Sequence, residues 1–492
     1  MMKCNIKKMA LAVGTVLGGL SMVPSAQAVN LATDGLGQSL IFPYYTTRAG
    51  WNTLFNITNT SDQIVAVKVR FHEGYNSRDV FDFNVILSPK DVWNGTVSNG
   101  AGDVPVFSTS DTSCTVPQIP AAGQPFQGNG ANGILAYTNV PGGVQAADGG
   151  PADTDRMREG YVTMTMMGSS PPTGLAAGAI HTAARVPVNC GVLQNLFSLN
   201  GFTFAQLQGA FPGYVANPLK GAFSLVNAAN GWNASGSATT LANFSTGAPS
   251  LITAQLPPAQ VGFAQSFHLP TLASASTAGA VLDDTTGTVL NGPTGAEGVS
   301  FALDRASVVN QWANRVASAA TGGWSVASDW VVTFPTKRFY ADTATHEFSG
   351  RATGRTGLPA GLAPFTQAFA GGRSCDPVSY TIYDREEQRV TPPGGAVFSP
   401  APSPQGNELC TEVNVLTFGA SAAATATNVL KSPMPGRLAG NVLSLPGENG
   451  WMQLNFRNGA LGLPVTGFAV INRTSPGANL NESFIVDNAY IR

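Results

Sequence analysis

The sharpest pattern in the chain is the run "VAVKVRFHE" at residues 65–73. Val65, Val67, Val69 and Phe71 alternate with Lys68, Arg70 and His72. A period of two puts the first set on one face of a strand and the second set on the other. "FDFNVIL" (81–87) repeats the device with Phe81, Phe83, Val85 and Leu87. "WNTLFNITNT" (51–60) sets Phe55 and Ile57 against Asn56 and Thr58. Three such runs, joined by the turn-tolerant "NTSDQ" and "GYNSRD", predict antiparallel strands with one apolar and one wet face. This is the pattern of a β-sandwich. On that reading His72 points to solvent as a surface residue.

Beyond residue 98 the pattern loosens. Residues 98–156 are loop-like, and "YVTMTMMG" (161–168) is a short strand. Residues 190–210 mix apolar positions at three- and four-residue spacing, which predicts one or two short helices. "SFALDRASVVNQWANRVASAA" (300–320) is the strongest helical signal, with Phe301, Val308, Trp312 and Val316 as its stripe. "DWVVTFPTKRFY" (329–340) reads as a strand ending in a basic cluster. Strand-like runs follow at 379–384, 411–418, 450–456, 467–472 and 483–491. The expected fold is mainly β. It has antiparallel β-sandwich domains, a few helices (notably 300–320) and long Gly/Pro/Asn-rich loops. The expected divisions are a signal peptide (1–28), a β-sandwich-like region (29–170), a mixed loop and helix region (171–320) and a β-rich C-terminal region (321–492).

The N-terminus changes the picture from a fold to a compartment. Lys3, Lys7 and Lys8 precede the apolar "MALAVGTVLGGLSMV" (9–23), then Pro24 and the small-residue site "SAQA" (25–28). That order describes a secretory signal cleaved after Ala28. No later stretch reaches ~18 consecutive apolar residues, so no transmembrane helix is expected. Cys114, Cys190, Cys375 and Cys410 remain after cleavage. An even count in an exported chain favours disulfides. Three connectivities are open, and proximity favours Cys114–Cys190 and Cys375–Cys410. Only 11% of residues are charged, and the formal charge is −2. Loss of the three lysines brings it to −5, which gives no electrostatic case for nucleic acid.

A resemblance appears in "LIFPYYTTRAGWNTLFNITNTSDQIVAVKVRFHEGYNSRDVFDFNVILSPKDVW" (40–93). Together with "REGYVTMTMMG" (158–168), "DWVVTFPTKRFY", "YTIYDREEQ" (380–388), "LCTEVNVLTF" (409–418) and "GWMQLNF" with "GLPVTGFAVI" (450–471), it resembles a family of exported proteobacterial proteins. Members of that family are labelled as cell-surface or hypothetical proteins. The resemblance implies exposure at the cell surface and no particular catalysis. The chain departs from it after "REGY", where Thr163, Met164, Thr165 and Met166 stand in place of acidic residues.

Candidate chemistry is sparse. No G-x-S-x-G elbow occurs. His72, His181, His268 and His346 are scattered, and His346-Glu347 lacks the second histidine of a zinc-protease helix. Asp384, Arg385, Glu386 and Glu387 form the densest charge cluster, and paired carboxylates serve glycoside hydrolysis. Adjacent residues diverge, however, so a solvated turn is the plainer reading. Asp148, Asp153 and Asp155 offer oxygen ligands in a Gly-rich loop, which suits Ca²⁺ without EF-hand spacing, and Asp283 with Asp284 repeats the theme. Lys337-Arg338 could hold an acidic sugar or phosphate, or close a solvated strand. Leu463-Pro464-Val465-Thr466-Gly467 spells a sortase pattern, but the apolar run after it stops at Ile471. A strand entry fits better.

The expectation is a non-enzymatic structural or interaction protein, exported to the cell surface, the outer membrane or the extracellular space. It has no catalytic residues and no cofactor other than calcium, and it self-associates or meets other surface components. The alternative is a secreted enzyme acting on extracellular polymers, such as a carbohydrate hydrolase.

Overall fold

The computed structural model describes residues 28–126, 150–151, 153–245, 251–252, 270–277, 280–283, 288–291, 294–318, 323–342, 364–389, 407–419, 424–433, 443, 445–456, 462–475 and 480–491. Most of the expected signal peptide therefore lies outside them. Val29 is fully buried, and Asn30–Leu31 already pairs with Thr239–Ala242.

Two antiparallel sheets form a sandwich. The first has seven strands, in the order Asn30–Leu31, Thr239–Ala242, Ser39–Thr46, Glu159–Ser170, Ile64–Glu73, Asp79–Leu87 and Cys114–Val116. The second has six, in the order Trp232–Ser237, Leu219–Asn227, Asn52–Asn59, Val92–Asn99, Pro105–Ser108 and Gln124–Pro125. The alternating apolar residues face one another. Val65, Val67, Val69 and Phe71 enter the same core as Phe55, Trp93 and Phe107. Phe71 meets Phe55 edge-on at 5.6 Å between centroids, an arrangement aromatic quadrupoles favour. The strands at 219–242 belong to these two sheets, so the sandwich continues past residue 170.

The outer face of the first sheet is not wet. Ile64, Ala66, Ile86 and Met167 lie beneath two short helices, Cys190–Phe197 and Phe204–Ala210, whose Leu193, Leu196, Phe197 and Leu207 are buried against them. Both helices are capped as their sequences prescribe. The Asn189 side chain accepts from the Val192 amide, and Thr203 with Gln206 makes a capping box. The Cys114–Cys190 disulfide ties the edge strand to the first helix.

The C-terminal unit is an eight-stranded sheet. Its main order is Ser379–Asp384, Asn449–Asn455, Ser307–Arg315, Ser325–Thr333, Thr466–Ser475 and Leu480–Asp487. Val413–Thr417 also pairs with Ser325–Thr333, and Ala489–Ile491 with Ser307–Arg315. Cys375 and Cys410 are bridged here. Both expected pairings are present.

One expectation is corrected. The helix expected over 300–320 does not run through the described residues 303–318. The helix Gly295–Ala302 stops early, and Ser307–Arg315 is a strand. Val308, Trp312 and Val316 are spaced by four residues. That spacing is one helical turn, but also two steps of a strand. Pairing with Asn449–Asn455 decides between them. Val308 and Trp312 are buried, and Val316 is exposed beyond the strand end.

The sandwich and the C-terminal sheet share one continuous apolar core. Phe468 packs edge-on against Tyr44 at 6.5 Å and lies 5.4 Å from Phe223. Thr333 Oγ1 donates to the Pro43 carbonyl at 2.7 Å, and the Trp51 indole donates to the Val429 carbonyl at 3.1 Å.

Candidate functional site

The first cluster of chemistry is an ionic layer between the two units. The alternation that predicted outward-facing Lys68, Arg70 and His72 gave the right face and the wrong environment. All three are buried. Over His72 the covering segment is Phe334–Asp342, more than 260 residues away in sequence. Tyr161 donates to the Pro335 carbonyl at 3.2 Å, Asn76 donates to Asp342 at 3.2 Å, and Arg338 bonds the Ser77 carbonyl. His72 is therefore not a surface residue. Its ring stacks on Tyr161 at 4.6 Å, with Nδ1 at 3.1 Å from the Ser77 carbonyl and Nε2 at 3.1 Å from Thr163 Oγ1. Burial, then the Arg70 and Arg338 charges, pushes His72 well below the usual histidine range, so it is neutral.

Charges in this layer are matched in pairs, as buried charges must be. Arg70 meets Asp79 at 2.9 Å, and Lys68 meets Asp82. Glu73 accepts two bonds from Arg156 at 2.8 and 2.9 Å, plus the amides of Tyr75, Asn76 and Arg78. That set shapes the turn at residues 73–79. The turn in turn docks on the C-terminal unit. Glu412 donates its amide to the Tyr75 carbonyl, and Val413 donates its amide to that of Gly74. Lys337 pairs with Asp376 at 2.7 Å. Lys337 and Arg338 thus lie in the interior and not at a solvated strand end. Glu412 is enclosed beside them, and its Oε2 has no hydrogen-bond partner among the described residues. Burial raises its carboxyl to about 8, against the pull of Lys337, Arg338 and Ser77. Thr163 serves here as the partner of His72.

A second cluster joins the loops at the far end of the sandwich. Ser88 Oγ lies 3.1 Å from His181 Nδ1 and 3.1 Å from Asp91 Oδ2, while His181 Nε2 lies 3.2 Å from Thr112 Oγ1. Hydroxyl, imidazole and carboxylate are the parts of an activated nucleophile. Their order differs from a relay, because Nδ1 faces both Ser88 and Asp91, the latter at 3.8 Å. Thr112 donates its proton to the Arg185 carbonyl at 2.8 Å. Sequence reading missed this group, since its members lie about 90 residues apart and no local motif marks them.

Among the described residues, the remaining sequence candidates do not converge. Asp148 lies outside the described residues, as do Asp284, His268 and His346-Glu347. Asp153 is exposed. Asp155 accepts from Arg48 at 2.9 Å on both oxygens and from Arg158 at 3.2 Å. Burial would raise its carboxyl, but these arginines hold it below the usual range. A cation at Asp155 would have to displace them. The Asp384 carboxylate turns back to accept from the amides of Glu386 and Gln388, and Glu386 pairs with Arg385 in solvent. The two carboxylates share one turn. Cys375, Cys410 and Glu408 lie together, but the two sulfurs are bonded and offer no thiolate.

The third feature is exposed. On the outer side of the C-terminal sheet, register aligns Gln311 with Trp451 and Tyr383 across three strands, and Val309 with Gln453 and Thr381 in the next row. Ser307, Asn455 and Ser379 make the third row. Trp451 and Tyr383 stack at 4.7 Å, and Trp451 is 41% exposed. Gly450 permits the close strand approach, since a Cβ there would lie 1.9 Å from the Tyr383 carbonyl oxygen.

No helix among the described residues is long and apolar enough to cross a membrane. No protein-family model, no curated protein and no solved structure matches the chain.

Proposed function

We propose that this chain is a non-enzymatic structural or interaction protein, exported to the cell surface or the extracellular space. The observation that carries this reading is the ionic layer. Its buried charges are engaged in pairs within each unit, Lys68–Asp82, Arg70–Asp79 and Arg156–Glu73 in the sandwich and Lys337–Asp376 in the C-terminal unit. Hydrogen bonds from Tyr161, Asn76 and Arg338 join the two, an arrangement suited to a rigid body. Two disulfides and the signal-like N-terminus support export. The test is fractionation of producing cells, followed by electron microscopy of the released protein. The expected result is an oxidised protein in the surface or medium fraction, alone or self-associated. Reduced protein confined to the cytoplasm would sink the reading.

A second reading, a secreted enzyme acting on extracellular polymers, is favoured by the group of Ser88, His181 and Asp91. It requires that Ser88 be labelled by a fluorophosphonate probe and that Ser88→Ala abolish labelling. An unlabelled native protein counts against it.

A further inference from the structure

We infer that the outer face of Ser307–Arg315, Asn449–Asn455 and Ser379–Asp384 binds a neutral polysaccharide. This rests on the reading that the protein works outside the cell. The three strands present an aromatic row, Trp451 on Tyr383, next to an amide and hydroxyl row, Gln453 and Thr381. With neighbours ~4.8 Å apart across strands and ~6.7 Å apart along them, the patch is roughly 10 Å by 13 Å. That is broad enough for consecutive sugar rings.

The chemistry of the patch selects the ligand. Pyranose rings have faces lined with C–H bonds, which rest on the electron-rich face of an indole, and edges lined with neutral hydroxyls. The Gln311 amide is exposed, and it, the Trp451 indole N–H, the Tyr383 hydroxyl and the Thr381 hydroxyl have no hydrogen-bond partner among the described residues. An amide offers donors and an acceptor at once, which suits hydroxyls. Register puts no charged side chain in these three rows. Arg385 and Glu386, just past Tyr383, neutralise each other. A nucleic acid would require a set of cations here, and an acidic polysaccharide at least one. A membrane surface would require basic residues or a larger apolar area. Uncharged complementarity is left, and it fits an uncharged glycan.

The test uses the full exported chain, crystalline cellulose and chitin as probes, and buffer with 1 M salt, where the Debye length is about 3 Å. Retention on at least one polymer is expected to survive the salt. Trp451→Ala is expected to weaken it at least about tenfold, the size of an aromatic hot-spot truncation. Gln311→Ala is expected to weaken it less. Leu54→Ala, on the outer face of the other sheet, is expected to leave it unchanged. Should Trp451→Ala fail to fold, Gln311→Ala decides, because that amide has no bond to lose among the described residues. Failure to bind either polymer, binding lost in salt, or binding indifferent to both strip variants overturns the inference. A surface protein that binds neither polymer refutes the strip alone, and a cytoplasmic protein that binds cellulose refutes export alone.

Discussion

Glu412 and His72 sit in one buried layer and bias stability in opposite directions. The Glu412 carboxyl rises from 4.5 to about 8 through burial, with Glu73 adding to it and Lys337 and Arg338 opposing. Lys337 is itself balanced by Asp376. Between those two values the folded chain holds a proton that the unfolded chain has released. Stability from this group therefore falls as pH rises from 4.5 to 8. His72 is depressed below 6.5, so below that value the unfolded chain binds the extra proton. Its contribution is lost as pH falls. The two slopes offset one another between 4.5 and 6.5, and from 6.5 to 8 Glu412 acts alone. Glu412→Gln removes the group that must lose a proton and keeps its shape. The expected outcome is a urea midpoint that falls between pH 6.5 and 8 in the parent and falls less in the variant. The variant should be more stable by a few kcal/mol at pH 9 and about equal near pH 5. Parallel curves would remove Glu412 from the account.

At the scale of the element, the turn at residues 73–79 is held by Glu73 and braced by Arg156. Arg156→Ala leaves a fully buried carboxylate without its cation, and such a loss costs about 3–5 kcal/mol. Arg473→Ala breaks a pair whose members are half-exposed, and less than ~1 kcal/mol is expected. Chemical denaturation of the two variants side by side checks the contrast, and equal losses would contradict it. The same turn shows what the chain discloses before folding. Alternation over residues 65–71 identifies the core face, because that information is local. It says nothing of Phe334–Asp342, which covers His72 on the opposite face from far along the chain. His72 therefore looks solvated until that segment is placed, and Lys68 and Arg70 look solvated until Asp82 and Asp79 are brought beside them. Residues 300–320 failed for a different reason, since a four-residue spacing is shared by both periods and only the partner strand decides. The Trp451 and Tyr383 strip, like the His181 group, exists only in register and leaves no contiguous motif. The disulfides were legible because compartment and proximity suffice to pair four cysteines.

At the scale of the whole molecule, one continuous apolar core runs through both units, and Leu463, Val465 and Phe468 belong to it. Leu463–Pro464 pairs with Asp304–Arg305, and Thr466–Ser475 runs between Ser325–Thr333 and Leu480–Asp487. Gly467 is required, since its φ is +153° and a Cβ would lie 1.9 Å from the Val331 carbonyl oxygen. The next residue, Phe468, reaches out of its own sheet to Tyr44 and Phe223 of the sandwich. Leu480–Asp487 packs against Trp232–Ser237 at the edge of the second sheet. Deleting residues 464–492 thus strips the C-terminal sheet of its central pairing and also opens the sandwich core. Phe468→Ala tests the joint alone, and removing a buried Phe from such a core costs about 3–5 kcal/mol. The expected outcome is that limited proteolysis of the truncated chain degrades both units together, with Phe468→Ala lowering the denaturation midpoint in a single transition. A resistant fragment ending near residue 245 would mean that the sandwich folds without its partner. Full resistance, together with release from the cell, would make the last strands a detachable anchor, which their burial on both faces at 468–471 opposes.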